Sequence, residues 1–251
     1  YYLNGTLQKD LMSKNGFVDG YYKVFHSSGK EKEVGQTFEG DYVGRWQTFY
    51  SNGTLESDFT YADNSEIDGE YQYYDIDGKL HYIFEYRKGE LIAYKYFDKK
   101  GNVIEENRKK GGEFYYKGYS PYGKIQSEGL YDIKGGAKGK WKYYTKHGVL
   151  EEEGIFVENQ LQGEYKTYYA NGDLLSIYHY KNDTLNGYHA NYHRNGKIKR
   201  QGWYKDGNQH GEWKSYTTDG VVIQINFYHK GMLHGEQLAF SGKGIKTSSS
   251  T

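Results

Sequence analysis

Aromatic, aliphatic and glycine positions recur along this chain at a fixed step, and polar residues fill the places between them. The repeating phrase is aromatic, two residues, aromatic, three residues, glycine, one residue, aliphatic. Its glycine falls at Gly5, Gly29, Gly53, Gly78, Gly101, Gly123, Gly148, Gly172, Gly196 and Gly220, ten copies spaced by 22 to 25 residues. A period of that length belongs to an array of identical supersecondary units, each packed on its neighbours.

Counted from that glycine, position −4 holds Tyr1, Phe25, Phe49, Tyr74, Phe97, Tyr119, Tyr144, Tyr168, Tyr192 and Tyr216. Position −7 holds Tyr22, Trp46, Tyr71, Tyr94, Tyr116, Trp141, Tyr165 and Trp213, with His189 as the exception. Of the four tryptophans, only Trp203 stands outside this column. Aliphatic residues favour +2 and aromatic residues +8, as in Leu55 and Tyr61.

Asn or Asp precedes the glycine in six copies, at Asn4, Asn52, Asn171, Asn195, Asp77 and Asp219. Asn-Gly or Asp-Gly between apolar runs predicts a tight hairpin, because both residues tolerate positive φ. Each unit therefore reads as one β-hairpin. Positions +2, +6 and +8 share parity and so one face of a strand, leaving the other face to Lys, Glu, Ser and Asn. Positions −7 and −4 have opposite parity. Two arrangements are open: a bulge between them, or a −4 ring that covers the hairpin's end. Further glycines, among them Gly20, Gly44, Gly69, Gly112, Gly139, Gly163, Gly187, Gly211 and Gly235, close a polar connection and read as a second turn.

Composition sharpens this picture. Half of the apolar content is aromatic, with 31 Tyr, which suits a layer dry on one side and wet on the other. A single Pro and the absence of a helical period complete an all-β expectation: an elongated single-sheet solenoid of about ten tandem antiparallel β-hairpins. Two strands per unit at ~4.8 Å spacing give a body of about 95 Å.

The repeat resembles the MORN family, and within it the variant repeat of bacterial proteins that includes the YwqK-type antitoxins. Gly163-Glu164-Tyr165-Lys166-Thr167-Tyr168-Tyr169-Ala170-Asn171-Gly172-Asp173-Leu174 carries the likeness, as does Gly211-Glu212-Trp213-Lys214-Ser215-Tyr216 with Asp219-Gly220. The resemblance implies a twisted, grooved sheet of hairpins. It also implies a non-catalytic scaffold, a protein-binding module, a lipid-contacting surface or a toxin-neutralising partner.

The array is expected over residues 1–240 and a disordered C-terminal tail over 241–251. One irregular seam is expected at about 99–134. There the step shrinks to 22, Lys109 replaces the +8 aromatic, and Arg108-Lys109-Lys110-Gly111-Gly112 stands where a longer connection belongs. The chain starts inside a unit, at its −4 aromatic and without Met, as expected of a trimmed N-terminus. That start leaves the compartment open: the bacterial cell envelope or export on one side, the cytoplasm for an antitoxin-like protein on the other.

Chemistry is sparse. Without Cys there are no disulfides, thiol nucleophiles or thiolate metal sites. His189 and His193 are four residues apart, a spacing that joins ligands on a helix and not on a strand and turn. His210 and His234 occupy the same turn position in adjacent units, near Glu212 and Glu236, and read as a stacked pair of exposed imidazoles. The run Glu151-Glu152-Glu153 reads as a solvated face. The glycines serve turns and form no phosphate loop ahead of a helix. No catalytic site, cofactor or metal is expected, and the chain does not read as an enzyme. A net charge of zero gives no long-range pull toward nucleic acid or an anionic membrane, and no transmembrane segment is present.

The expected function is a repeat scaffold that binds another macromolecule, foremost a protein, as a monomer or in weak end-to-end association. The alternatives are a toxin-neutralising protein and an envelope carbohydrate or lipid binder. Two sets of residues are candidates for partner contact. One is the ladder of −7 rings: Trp46, Tyr71, Tyr94, Tyr116, Trp141, Tyr165 and Trp213. The other is the basic group at the seam: Arg108, Lys109 and Lys110. For the rings, a second reading stays open, in which they are the core of a one-layer sheet.

Overall fold

A computed structural model describes residues 1–250. Every regular element among the described residues is a β-strand, and the strands form two antiparallel ladders where a single sheet was expected. The first has nine strands in chain order: β1 (Lys9–Lys14), β2 (Phe17–Phe25), β3 (Glu31–Phe38), β4 (Asp41–Phe49), β5 (Leu55–Tyr61), β6 (Gly69–Tyr74), β7 (Leu80–Arg87), β8 (Glu90–Phe97) and β9 (Val103–Arg108). The second has fourteen. It runs through β10 (Phe114–Tyr119), β11 (Ile125–Tyr131), β12 (Ala137–Tyr144), β13 (Leu150–Val157), β14 (Gln160–Tyr168), β15 (Leu174–Lys181), β16 (Thr184–Leu185), β17 (Gly187–Tyr192), β18 (Ile198–Lys205), β19 (Asn208–Tyr216), β20 (Val222–His229), β21 (Met232–Leu233), β22 (Gln237–Phe240) and β23 (Lys246–Ser250). The stretch expected as a disordered tail thus contains β23, with Leu238 opposite Ser249.

The chain divides into two compact units, one over 1–114, 118–124 and 133–135, the other over the remainder. Between β9 and β10 the chain has only five residues, with Gly111 and Gly112 both at positive φ, and the ladder does not continue across them.

No extra residue lies between the rings at −7 and −4; a bulge forms beside them, on the strand that follows. Pairing shifts by one residue between Thr48 and Phe49, and again at Tyr73/Tyr74, Tyr143/Tyr144, Thr167/Tyr168, Asn191/Tyr192 and Ser215/Tyr216. The extra residue, Glu56 in the first of these, lies on the strand after the tip, so −7 and −4 keep their opposite parity and their rings stand on opposite faces of the sheet.

A second bulge corrects the reading of the second set of glycines. Gly44, Gly163 and Gly211 do not close turns; they lie inside strands. Between the pairs Val34↔Gln47 and Gln36↔Val43, three residues, Gly44, Arg45 and Trp46, face the single residue Gly35. Positive φ at Gly44 (66°) lets the backbone arch there, and the arch lays the Trp46 indole over Gly35. The inter-unit turns lie earlier, at two-residue corners with positive φ throughout, such as Glu39-Gly40, Lys88-Gly89, Asn182-Asp183 and Asp206-Gly207. Their second N–H donates to a carbonyl one repeat back: Gly40 to Val18 (3.0 Å), Gly89 to Ile67 (3.0 Å), Asp183 to Leu161 (3.1 Å) and Gly207 to Leu185 (2.9 Å).

Hairpin tips are stitched in the opposite direction, from donor to the following repeat. Where the residue after the −4 aromatic is Tyr or His, it donates to a carbonyl of the next tip. Tyr50 reaches Tyr74 O (2.8 Å), Tyr169 reaches Tyr192 O (2.8 Å), and the His193 ring N–H reaches Tyr216 O (3.1 Å). Where it is Asp, Ser or Thr, the side chain is too short and accepts from its own turn instead. Asp75 takes the N–H of Lys79 (3.0 Å) and Thr217 that of Val221 (3.1 Å).

Candidate functional site

The −7 rings lie in the sheets' own packing. Trp46 is 0% exposed, Trp141 3% and Trp213 2%; Tyr94 and Tyr116 are buried, and Tyr71 and Tyr165 half-buried. Each Trp needs a gap across the strand, and a glycine at position +6 of the preceding unit supplies it. A Cβ on Gly35 would stand 2.1 Å from the Trp46 ring, on Gly129 2.2 Å from Trp141, and on Gly202 2.2 Å from Trp213. Where +6 holds a ring, the −7 partner is smaller: Phe59 stacks on Tyr71 at 4.8 Å, and Tyr178 lies 4.5 Å from His189. Burial pushes the His189 imidazole below its ordinary value, so the ring enters this row uncharged. Of the two readings of the ladder, burial favours the core. A fully buried ring such as Trp46 has no free face for a ligand, whereas Tyr71 and Tyr165 keep part of theirs exposed.

Two of the three seam cations, Arg108 and Lys109, are paired close to home. Arg108 makes a two-pronged contact with Glu85. Lys109 donates to Ile133 O (2.6 Å) and lies 3.4 Å from Glu90. Lys99, in the same stretch, bridges Asp75 (3.2 Å) and Asp77 (2.7 Å). Three of the candidate residues, Tyr94, Arg108 and Lys110, do come together around an open hollow of about 510 Å³, with Glu70, Glu85, Lys95 and Glu106 on its walls. Acids and bases balance there, and Lys95 and Glu106 pair at 2.8 Å.

The other face of the second sheet is defined by its register. One row runs Glu128, Lys142, Glu153, Lys166, Ile177, Ala190, Gln201, Lys214, Ile225, Leu238. Its first part is charged and internally satisfied. Glu153 is buried, correcting the solvated reading of the Glu151–Glu153 run: it meets Lys140 at 2.8 Å and accepts from the Tyr168 hydroxyl at 3.0 Å. Burial alone would raise its carboxyl; the ammonium and the phenol outweigh that and hold it below the ordinary glutamate range. Tyr168 itself is pushed up to about 12, by burial first and then by this bond. A depressed carboxyl stabilises the fold above its unfolded pKa, and the contribution disappears as pH falls through the folded value. Glu153→Gln is therefore expected to lower stability at neutral pH, and the gap to wild type should close on acidification. Denaturant melts across that range check this; a gap independent of pH would refute it.

From Ile177 onward the row is mostly apolar, and here the tryptophan outside the column emerges. Trp203 is 56% exposed, paired across the strand with Tyr188 at 5.8 Å between ring centroids. With Gln201, Gly202, Glu212 and Lys214 these two rings line a recess of about 160 Å³. Phe227 lies one strand further, opposite Glu212. The patch is bounded by imidazoles: His210 pairs with Trp203, and His229 stands between His210 (5.6 Å) and His234 (5.9 Å), separating the two expected to stack. Lys214 and Glu212 pair at 2.6 Å. Sequence reasoning passed over Trp203, although its place outside the column was the signal. Among the described residues no group of three or more His, Asp or Glu converges to hold a metal, and no helix is long and apolar enough to cross a membrane.

The family model for the MORN repeat variant matches residues 42–63, 161–182 and 209–230, each spanning a bulged strand, its Asn-Gly or Asp-Gly tip and the strand after it. These are MORN repeats of the variant type. MORN repeats are in general non-catalytic modules. No curated protein matches it. Solved structures titled TcdB2-TccC3-Cdc42, TcdB2-TccC3-TEV and TcdB2-TccC3 without its hypervariable C-terminal region are similar to this MORN-repeat chain at 14%, 14% and 13% identity, with TM-scores of 0.16, 0.16 and 0.17. They cover 87%, 99% and 94% of it, while it spans 14%, 17% and 16% of their length.

Proposed function

We propose that this MORN-repeat chain is a non-catalytic scaffold that binds a protein partner through the apolar part of the second sheet's outer face, with Trp203 as the anchor. One observation carries the reading: three tryptophans are at most 3% exposed, while the fourth is 56% exposed beside Tyr188 and above a recess. A large ring held at the surface by a regular sheet loses little entropy on binding, and such rings dominate binding energy at interfaces. Pairing of Arg108 and Lys109 with neighbouring acids weakens a charge-led contact, and burial of most −7 rings weakens sugar or lipid stacking along that ladder.

The test uses the immobilised chain and a lysate of its source cells. Proteins retained by the wild type should be lost with Trp203→Ala, whose melting curve should overlay the wild type. Retention should change little with salt, as for an apolar contact. Retention unaffected by Trp203→Ala would end this reading. If the retained protein is a toxic enzyme, the scaffold is a neutraliser; glycan or lipid retained in place of protein would replace the proposal altogether.

A further inference from the structure

Indole and imidazole N–H groups are hydrogen-bond donors, and the repeat gives most of its buried ones an acceptor. Trp46, Trp141 and Trp213 donate to Val43 O (3.1 Å), Leu130 O (3.1 Å) and Trp203 O (3.2 Å). Ring nitrogens of His26, His179 and His193 likewise meet carbonyls, of Phe49 (2.8 Å), Tyr188 (2.8 Å) and Tyr216 (3.1 Å). Trp203 departs from this pattern. Among the described residues its indole N–H has no hydrogen bond, and neither have the rings of His210, His229 and His234.

These four rings stand in one line. Tyr188 on β17 faces Trp203 on β18, and Trp203 faces His210 on β19. His210 lies 5.6 Å from His229 on β20, and His229 lies 5.9 Å from His234, just beyond β21. Residues opposite each other in an antiparallel ladder share a face, so five rings from Tyr188 to His234 cross the outer face strand by strand. Trp203, His229 and His234 are exposed, and Tyr188 and His210 half-buried. Four gaps of ~4.8 Å make the line about 19 Å long.

A ligand matched to this line must bring acceptors and ring-sized apolar groups along a rod. Acceptors are scarce in the recess itself, where Gln201 already accepts from the Tyr188 hydroxyl (2.8 Å) and donates to that of Tyr216 (2.6 Å). A polyproline II segment has no internal hydrogen bonds, so its carbonyls are free, and proline has no N–H to compete for acceptors. At ~3.1 Å per residue, about six residues span the line. Other peptide modes fit less well. An added strand pairs with a sheet edge and not with a face, and a docked helix needs a long groove, whereas the recess beside Trp203 is about 160 Å³.

We infer that the partner docks through a proline-rich segment in the polyproline II conformation, laid across the strands from Tyr188 to His234. Its pyrrolidine rings pack against Tyr188 and Trp203, and its carbonyls accept from the Trp203 Nε1–H and the imidazoles. The inference rests on the reading of Trp203 as the anchor of a protein contact.

The probe is an end-blocked octaproline titrated into the ¹⁵N-labelled full chain, whose indole N–H signals report each tryptophan separately. The Trp203 signal should move while those of Trp46, Trp141 and Trp213 stay, and a Gly-Ser peptide of equal length should move none. By calorimetry, Trp203→Phe keeps a ring but not the donor and should weaken binding about five-fold, the scale of one net hydrogen bond. Trp203→Ala should weaken it more than ten-fold, and His229→Ala about two- to five-fold. A stationary Trp203 signal, or affinity unchanged in Trp203→Ala, would overturn the inference. Its failure is distinct from that of the scaffold reading: a protein captured through Trp203 that octaproline does not displace ends the proline-rich assignment and leaves the scaffold. Capture indifferent to Trp203 ends both.

Discussion

Gly202→Ala is expected to destabilise the second unit by more than about 3 kcal/mol, a larger loss than overpacking usually brings. The new Cβ would stand 2.2, 2.4 and 2.5 Å from three atoms of the Trp213 ring system. That ring has little room to retreat: Tyr204 lies at 5.2 Å, His189 at 5.5 Å and Tyr228 at 6.2 Å between centroids, and its Nε1–H donates to Trp203 O at 3.2 Å. Gly242→Ala is the control, since that glycine has ordinary φ and nothing within 4 Å of its added Cβ. The chain also contains the repair. Phe59 with Tyr71, and Phe84 with Tyr94, fill equivalent positions with two medium rings in place of one glycine and one large ring. Gly202→Phe combined with Trp213→Tyr should therefore recover more than half of the stability that Gly202→Phe alone removes. Denaturant melts of the two singles and the double form the cycle. A neutral Gly202→Ala would refute size complementarity across the strand.

That complementarity could have been read before any coordinates. Glycines 35, 154 and 202 each stand eleven residues ahead of a −7 ring, and Gly129 twelve ahead of Trp141. It was missed because parity reasoning scores a glycine as empty, whereas in a one-layer sheet an empty position is where a neighbour's indole goes. The hairpin tips were legible, since Asn-Gly and Asp-Gly impose them through local backbone preference. The opposite parity of −7 and −4 was also legible, and only cross-strand register shows that the bulge beside them falls on the following strand and leaves that parity intact. The second set of glycines misled because a positive-φ glycine serves a bulge as well as a turn, and sequence does not say which carbonyl faces it. Trp203 was the most informative residue passed over. A column of matched rings is what stacking requires, so the ring outside the column is the one stacking does not explain. Division into two ladders was not legible: the shortened connection at 108–112 is plain in the sequence, but whether β9 and β10 still pair depends on backbone geometry over five residues.

Trp46→Ala is expected to cost about 3–5 kcal/mol, the range for removing a large buried ring. Trp46 is fully buried and touches Tyr42 (4.5 Å), Tyr22 (5.2 Å) and Tyr61 (5.7 Å) as well as Gly35, while its Nε1–H satisfies Val43 O at 3.1 Å. Truncation leaves a void one wall of which is a glycine, with no side chain there to move into it. The position of the loss is as diagnostic as its size. In a repeat array each hairpin is stabilised by nearest neighbours, so the damage should be confined to strands β2 to β5 and fade along the first ladder. Amide exchange resolves this: protection should fall at Gln36, Gln47 and Thr60 and stay unchanged at Lys166 and Gln201. Uniform loss over both units would mean that they unfold as one cooperative body, and the nearest-neighbour account would be wrong. Trp203→Ala removes a residue of the same type from the surface at little cost to stability. The pair of variants therefore separates what tryptophan does in this protein: at position −7 it fills the sheet, and at residue 203 it is free to meet something else.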